Sequence, residues 1–141
     1  MTEPHIEIPI TDEQQILKAR GEIRGFLMAN FSFTGLERMY IITAVSELAR
    51  NIYVHAGQGR ILARIATSAE GRKGIMLRCE DQGPGIADVG KAMQGRPVMN
   101  YQKGMGLGLS GSKNLADDFE IHSRPGQGTT VVWTRWERSG R

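Results

Sequence analysis

The chain has 141 residues, a hydrophobic fraction of 40%, a charged fraction of 23% and a formal charge of +3. That length suits one domain with a proper core, residues 1–141, and is too short for two independent ones. The charge is mild despite a sequence pI of about 9.3, and without a like-charge run or a basic stripe interleaved with aromatics it argues against nucleic acid as partner.

Met1-Thr2-Glu3-Pro4-His5 lacks the basic and apolar regions of a signal peptide. No apolar stretch approaches the roughly 20 residues that span a bilayer, so the expected location is the cytoplasm. His5 to Ile10 alternates and predicts a first strand. Thr11-Asp12-Glu13-Gln14 reads as a helix start, a capping-type side chain followed by acids in the first turn. This helix runs to about Asn30, with Ile16, Ala19, Ile23, Phe26 and Leu27 on its apolar face. After a connection from Phe31 to Gly35, a second helix from about Leu36 to Ala56 carries Met39, Ile42, Val45, Ala49 and Ile52 at helical spacing. It stops at Ala56-Gly57-Gln58-Gly59.

Two strands follow, Arg60 to Thr67 and Lys73 to Glu80, joined by a turn from Ser68 to Arg72 that contains Gly71. The single cysteine, Cys79, can form no internal disulfide, makes a poor zinc site, and reads as a small buried apolar residue. Ala87 to Lys103 has no persistent period and is broken at Gly90 and Gly95-Arg96-Pro97. Loops of that length in small domains are usually functional or mobile. Gly106 to Asp117 resumes as helix, and Phe119 to Ser123 with Thr129 to Trp136 form a second hairpin around Arg124 to Gly128. The order predicts an α+β fold, a two-layer α/β sandwich with helices on one face of a mixed, mainly antiparallel sheet.

Four places could carry chemistry. The first is Glu80-Asp81-Gln82-Gly83-Pro84-Gly85-Ile86, a strand ending on a carboxylate and turning through glycines. A carboxylate there can accept a hydrogen bond from a ligand, and glycine lets backbone approach it closely; a plain turn after a strand is the competing reading. In the second helix Glu47 and Asn51 lie four apart, on one edge with Thr43, Ala44 and His55. Taken singly they read as a polar rim. Read as a site, the Asn51 oxygen ligates Mg²⁺, which keeps much of its shell as water and phosphate oxygens, and Glu47 orients or deprotonates a nucleophile attacking a γ-phosphate. His55, at the end of that helix, reads as a capping or packing residue.

Third, Gly104, Gly106 and Gly108 sit where loop becomes helix, where free N–H groups and the helix dipole favour phosphate. Gly106-Leu107-Gly108-Leu109-Ser110-Gly111 also satisfies a dinucleotide-binding pattern, but Val98 to Lys103 before it is no buried strand, and no Gly-Lys-Ser/Thr makes it a P-loop. Fourth, Gly126-Gln127-Gly128-Thr129 opens the last strand, where a threonine hydroxyl can join the hydrogen bonding around Asp81. Arg96 and Lys103 border the irregular loop and could reach terminal phosphates if it closes, or serve as solvated charges.

Together and in this order, these elements resemble the GHKL (Bergerat-fold) ATPase and kinase family. The helix of Glu47 and Asn51 looks like the family's N box. Asp81-x-Gly83-x-Gly85-Ile86 resembles the box whose aspartate binds the adenine amino group. Gly104, Gly106, Leu107, Gly108 and Leu109 are similar to the second glycine box, and Gly126-x-Gly128-Thr129 to the third. The resemblance implies an α/β sandwich binding ATP and Mg²⁺ under a lid at about 87–103. In it Glu47 would be the base toward a substrate hydroxyl, Asn51 the Mg²⁺ ligand and Asp81 the adenine selector, with Arg96 first and Lys103 second as the lid cation. Within the family, Ser46-Glu47-Leu48-Ala49-Arg50-Asn51-Ile52-Tyr53 and Ala56-Gly57-Gln58-Gly59 look like the RsbT-type serine/threonine kinases of bacterial stressosomes. These phosphorylate STAS-domain proteins and then activate a PP2C-type phosphatase by binding it. The alternatives are an RsbW-like anti-sigma factor kinase, a non-catalytic ATP-dependent binding module and a stand-alone ATPase.

Overall fold

The computed structural model describes residues 3–83 and 111–138. Five strands, β1 (His5–Ile10), β2 (Gly59–Thr67), β3 (Lys73–Asp81), β4 (Asp118–Ser123) and β5 (Thr129–Trp136), form one sheet in the order β1-β2-β3-β5-β4. All four pairings among the described residues are antiparallel, as the mainly antiparallel sheet expected from the hairpins requires. Helices α1 (Gln14–Asn30) and α2 (Gly35–Ala56) cover one face.

Strand periodicity builds that face in rungs. Ile6, Ala63, Leu77, Trp133 and Phe119 lie across the sheet in one row, and Ile8, Ile61, Cys79, Val131 and Ile121 in the next. Both rows join the helices in one apolar core. The third row of the same face is Ile10, Gly59, Asp81, Thr129 and Ser123. Asp81 therefore holds a position that, two residues earlier along β3, belongs to a core side chain. The opposite face is charged: Arg60 pairs with Glu7 at 2.8 Å and with Glu80 at 2.9 Å, and Arg78 also pairs with Glu80.

The apolar stripe expected on α1 is buried in full, at Ile16, Ala19, Ile23, Phe26 and Leu27. Its start differs from expectation: the helix begins at Gln14, so no acid lies in its first turn, and it is Asp12 Oδ1 that accepts from the Gln15 N–H at 3.2 Å. The capping box belongs to α2, where Thr34 accepts from the Glu37 N–H at 3.1 Å and Glu37 accepts from the Thr34 N–H at 3.2 Å. On α2, Ile42, Val45, Ala49 and Ile52 are buried as expected, whereas Met39 is 56% exposed. The inward sector is filled instead by Ile41, Ala44 and Leu48, which turns Met39 toward solvent.

Residues 111–114 are helical and tie back to β5. The buried indole of Trp133 donates to the Ser112 carbonyl at 2.7 Å, and Arg135 donates to the Leu115 carbonyl at 2.8 Å. The remainder of the helix expected at 106–117 is partly outside the described residues, as is the whole segment expected as a lid, 87–103. No described helix is long and apolar enough to cross a membrane.

Candidate active site

The inward face of α2 crosses the ends of β3 and β5, and the third rung leaves a hollow there. Leu48, Asn51, Ile52 and His55 of α2 line it on one side, with Cys79, Asp81, Thr129 and Val131 of the sheet on the other. Its volume is about 20 Å³, room for about one water, and it opens to solvent. The walls are apolar with a few convergent polar groups, the usual make-up of a small-molecule site.

Asp81 is 8% exposed. Its Oδ1 accepts from the Gly83 N–H at 2.9 Å, and the Thr129 N–H also donates to the carboxylate. Burial raises its pKa, while these N–H groups and nearby His55 pull it back down. Two donors cannot saturate a carboxylate with about four lone-pair directions, so it can accept from a guest as well. Burial lowers the pKa of His55 by more than the Asp81 charge raises it, which favours a neutral imidazole in the hollow. Desolvation pushes the Cys79 thiol far up, and it behaves as the inert apolar residue expected.

Two glycines set the geometry around Asp81. A Cβ on Gly83 would lie 2.6 Å from Ala56 Cβ, so the turn after β3 can press against the end of α2 only without a side chain. Gly128 has φ +79, and a Cβ there would lie 2.2 Å from the Asp81 carbonyl oxygen. The expected Thr129 hydroxyl contact is replaced: Thr129 Oγ1 pairs with Ser123 Oγ at 2.7 Å, and it is the backbone N–H that reaches Asp81.

Asn51 is buried, and its Nδ2 has no hydrogen-bond partner among the described residues. A buried amide left unpaired costs on the order of 1–3 kcal/mol, a cost that a polar guest in the hollow removes. Glu47, one turn back on the same edge, is half-buried and forms no ion pair or hydrogen bond among the described residues. From His55 to Glu47 the helix rises about 12 Å, comparable to the reach of a nucleoside triphosphate from base to terminal phosphate. The unpartnered Asn51 atom is a donor nitrogen and calls for an acceptor on a guest, whereas magnesium would turn to the Asn51 oxygen. Magnesium takes one or two protein oxygens and completes its shell with phosphate and water, so it needs no cluster of three or more acids or histidines, of which there is none among the described residues.

The structure thus brings together Asn51, Asp81, Gly83, Gly128 and Thr129, with Glu47 at the margin. Gly85, Ile86, Arg96, Lys103, Gly104, Gly106, Leu107, Gly108 and Leu109 lie outside the described residues. His55 was not singled out as a site residue, although its spacing of four from Asn51 already placed it on the same edge. Leu48, Ile52 and Val131 carried only the signal of core residues.

Residues 37–138 match the family described as histidine kinase-, DNA gyrase B-, and HSP90-like ATPase. The chain belongs to this family, the GHKL ATPases, and its α+β architecture is theirs. It is 38% identical over 132 residues to the serine/threonine-protein kinase RsbT of Bacillus subtilis (strain 168), covering 93% of this chain and 96% of that one. It is 34% identical over 100 residues to the anti-sigma F factor of Thermoanaerobacter sp. (strain X514), covering 68% of each. Among solved structures, a chain of the SiaB–SiaC complex from Pseudomonas aeruginosa is similar in fold, with a TM-score of 0.54 over 95% of this chain and 89% of that one, at 13% identity. With a kinase as relative along nearly the whole of both chains, the protein is an ATP-using enzyme, a protein kinase of the GHKL class.

Proposed function

We propose that this kinase transfers the γ-phosphate of ATP to a serine or threonine hydroxyl of a STAS-domain protein, and acts as a partner switch. The reading rests on one observation above others: the buried Asp81 carboxylate at the end of β3 faces the α2 edge that carries the buried Asn51 amide and, one turn back, the Glu47 carboxylate, the Asn51 nitrogen and Glu47 being unpaired among the described residues. Asp81 accepts from the exocyclic amino group of adenine, with neutral His55 beside it. The Asn51 oxygen holds a Mg²⁺ ion, which when bound neutralises charge on the phosphates. Glu47 takes the proton from the acceptor hydroxyl as its oxygen bonds to the γ-phosphorus and the bond to the β–γ bridging oxygen breaks, releasing ADP. Gly83 and Gly128 keep the aspartate in place, and 1–141 acts as one kinase domain in the cytoplasm, where ATP is supplied. Residues 87–103 form the lid, Arg96 or Lys103 meets the γ-phosphate, and Gly85, Ile86, Gly104, Gly106, Leu107, Gly108 and Leu109 complete the nucleotide contacts.

The RsbT relationship favours a stressosome-type substrate, followed by binding and activation of a PP2C-type phosphatase. The anti-sigma F relatives favour a second reading, in which the same chemistry accompanies capture of a sigma factor. Intact-mass spectrometry of a STAS-domain partner incubated with the chain and Mg-ATP tests the reading. The wild type should add one phosphate, and Glu47→Ala should slow transfer by about 10²–10⁴-fold while still binding nucleotide. Transfer at the normal rate by Glu47→Ala would remove the base assignment; an unmodified partner would remove the STAS assignment.

A further inference from the structure

Every exposed large apolar side chain among the described residues, Leu17, Met28, Leu36, Met39 and Tyr53, lies on α1 or α2, and none on the sheet. Between the two helices runs a groove of about 440 Å³, open along one side, lined by Arg20, Arg24 and Met28 of α1 and by Arg38, Met39 and Ile42 of α2, with no carboxylate in its lining. Arg38 donates to the Phe33 carbonyl at 2.7 Å, while Arg20 and Arg24 form no ion pair among the described residues. Helical spacing puts Arg20, Arg24 and Met28 one turn apart on one flank. Beside them Gly21 and Gly25 are exposed, and a Cβ on either would meet nothing within 4 Å, so that wall is smooth.

The lining selects the occupant. A slot between two packed helices has the shape of a third helix, methionines adapt to apolar side chains of varied form, and guanidinium groups pair with carboxylates in fixed bidentate geometry. A second copy docking groove to groove would bring the same arginines face to face, since a two-fold contact is self-complementary only if its charges are. We propose that this groove docks an acidic amphipathic helix of a protein partner. Its carboxylates, one turn apart, meet Arg20 and Arg24, and its apolar face covers Met28, Met39 and Ile42. The groove uses none of the nucleotide-site residues, so a partner can sit there whatever the state of that site, and the inference stands independently of the phosphotransfer reading.

Fluorescence anisotropy with a labelled amphipathic helical peptide of about five turns, bearing Glu and Leu at helical spacing, tests it on the full chain. A counterpart with every Glu replaced by Lys serves as control. The acidic peptide should bind the wild type, more weakly at high salt, and the Lys peptide should not. Arg20→Glu with Arg24→Glu should weaken the acidic peptide by about tenfold or more and gain the Lys peptide. Met39→Ser, at an already exposed position, should weaken both wild-type and swapped pairings, with circular dichroism and nucleotide binding showing each variant folded. The proposal fails if the acidic peptide does not bind, or binds the reversed chain equally well. It also fails if the arginine reversal instead abolishes binding to phosphatidylserine vesicles or self-association in sedimentation while peptide binding is absent.

Discussion

Asp81 and His55 face one another across a hollow where water is scarce, and their ionisation is set by that position. Asp81→Asn keeps the size of the side chain but swaps one acceptor oxygen for a donor and removes the charge. The loss of one charge-assisted hydrogen bond, about 1.5–3 kcal/mol, should weaken ATP binding by roughly 10- to 100-fold, read by calorimetric titration. An unchanged affinity would place adenine elsewhere. His55 has its pKa lowered from 6.5 by burial, against the pull of Asp81. On unfolding, the imidazole regains its ordinary proton affinity, so below about pH 6.5 the unfolded chain binds more protons than the folded one. Stability should therefore be flat above that pH and fall as the pH drops toward the lowered folded value. Urea midpoints measured across that window should show the slope, and His55→Gln should flatten it; an equal slope in the variant would assign it to another group. Asn51, Asp81, Gly83, Gly128 and Thr129, which the structure brings together, were already marked in the sequence because motifs at these spacings are local. The role of His55 was not, since a histidine at a helix end becomes a site residue only when another element brings a charge opposite it.

At the scale of elements, α1 combines a complete apolar stripe with two glycines on its solvent side. Gly21 and Gly25 sit in mid-helix, have room for a Cβ, and are not among the residues with positive φ. Each Gly→Ala change should stabilise the protein by up to about 1 kcal/mol, seen as a rise of a few degrees in the melting temperature. A loss of stability would mean that the helix needs those glycines for its own packing. The α1 stripe, both hairpins and the α2 span followed from periodicity and turn residues, which are properties of one segment. Met39 did not, because its spacing is compatible with the edge of the apolar sector, and the packing of Ile41 and Leu48 decided which side of that edge went inward. The capping box of α2 shows the same division. Thr34 and Glu37 carry the pattern, but Glu37 also lies 3.7 Å from Arg135 and 3.6 Å from Arg138, partners from the far end of the chain.

For the whole molecule, the hollow lies between the two layers, so a guest in it bridges α2 to the sheet ends. Ligand that binds only the folded chain stabilises it by about 2.7 kcal/mol at a hundredfold excess over Kd, roughly 10 °C in a domain of this size. Thermal melts with saturating Mg-ATP should show such a shift for the wild type and little of it for Asp81→Asn. A wild-type melt indifferent to nucleotide would argue against binding between the layers. By itself the sequence determined where most described segments form and which stripe α1 buries, and it pointed to side chains suited to a nucleotide, because helix and strand periods, turns and short motifs are encoded within a few residues of themselves. Only the tertiary structure decided that Asp81 occupies the third rung of a core face, that the Thr129 N–H rather than its hydroxyl meets it, and that exposed methionines and arginines of two helices share one groove. Those facts depend on the register of β3 against β5 and on how α1 lies along α2. Such pairings between distant segments are fixed by mutual packing and burial, which no single segment carries alone.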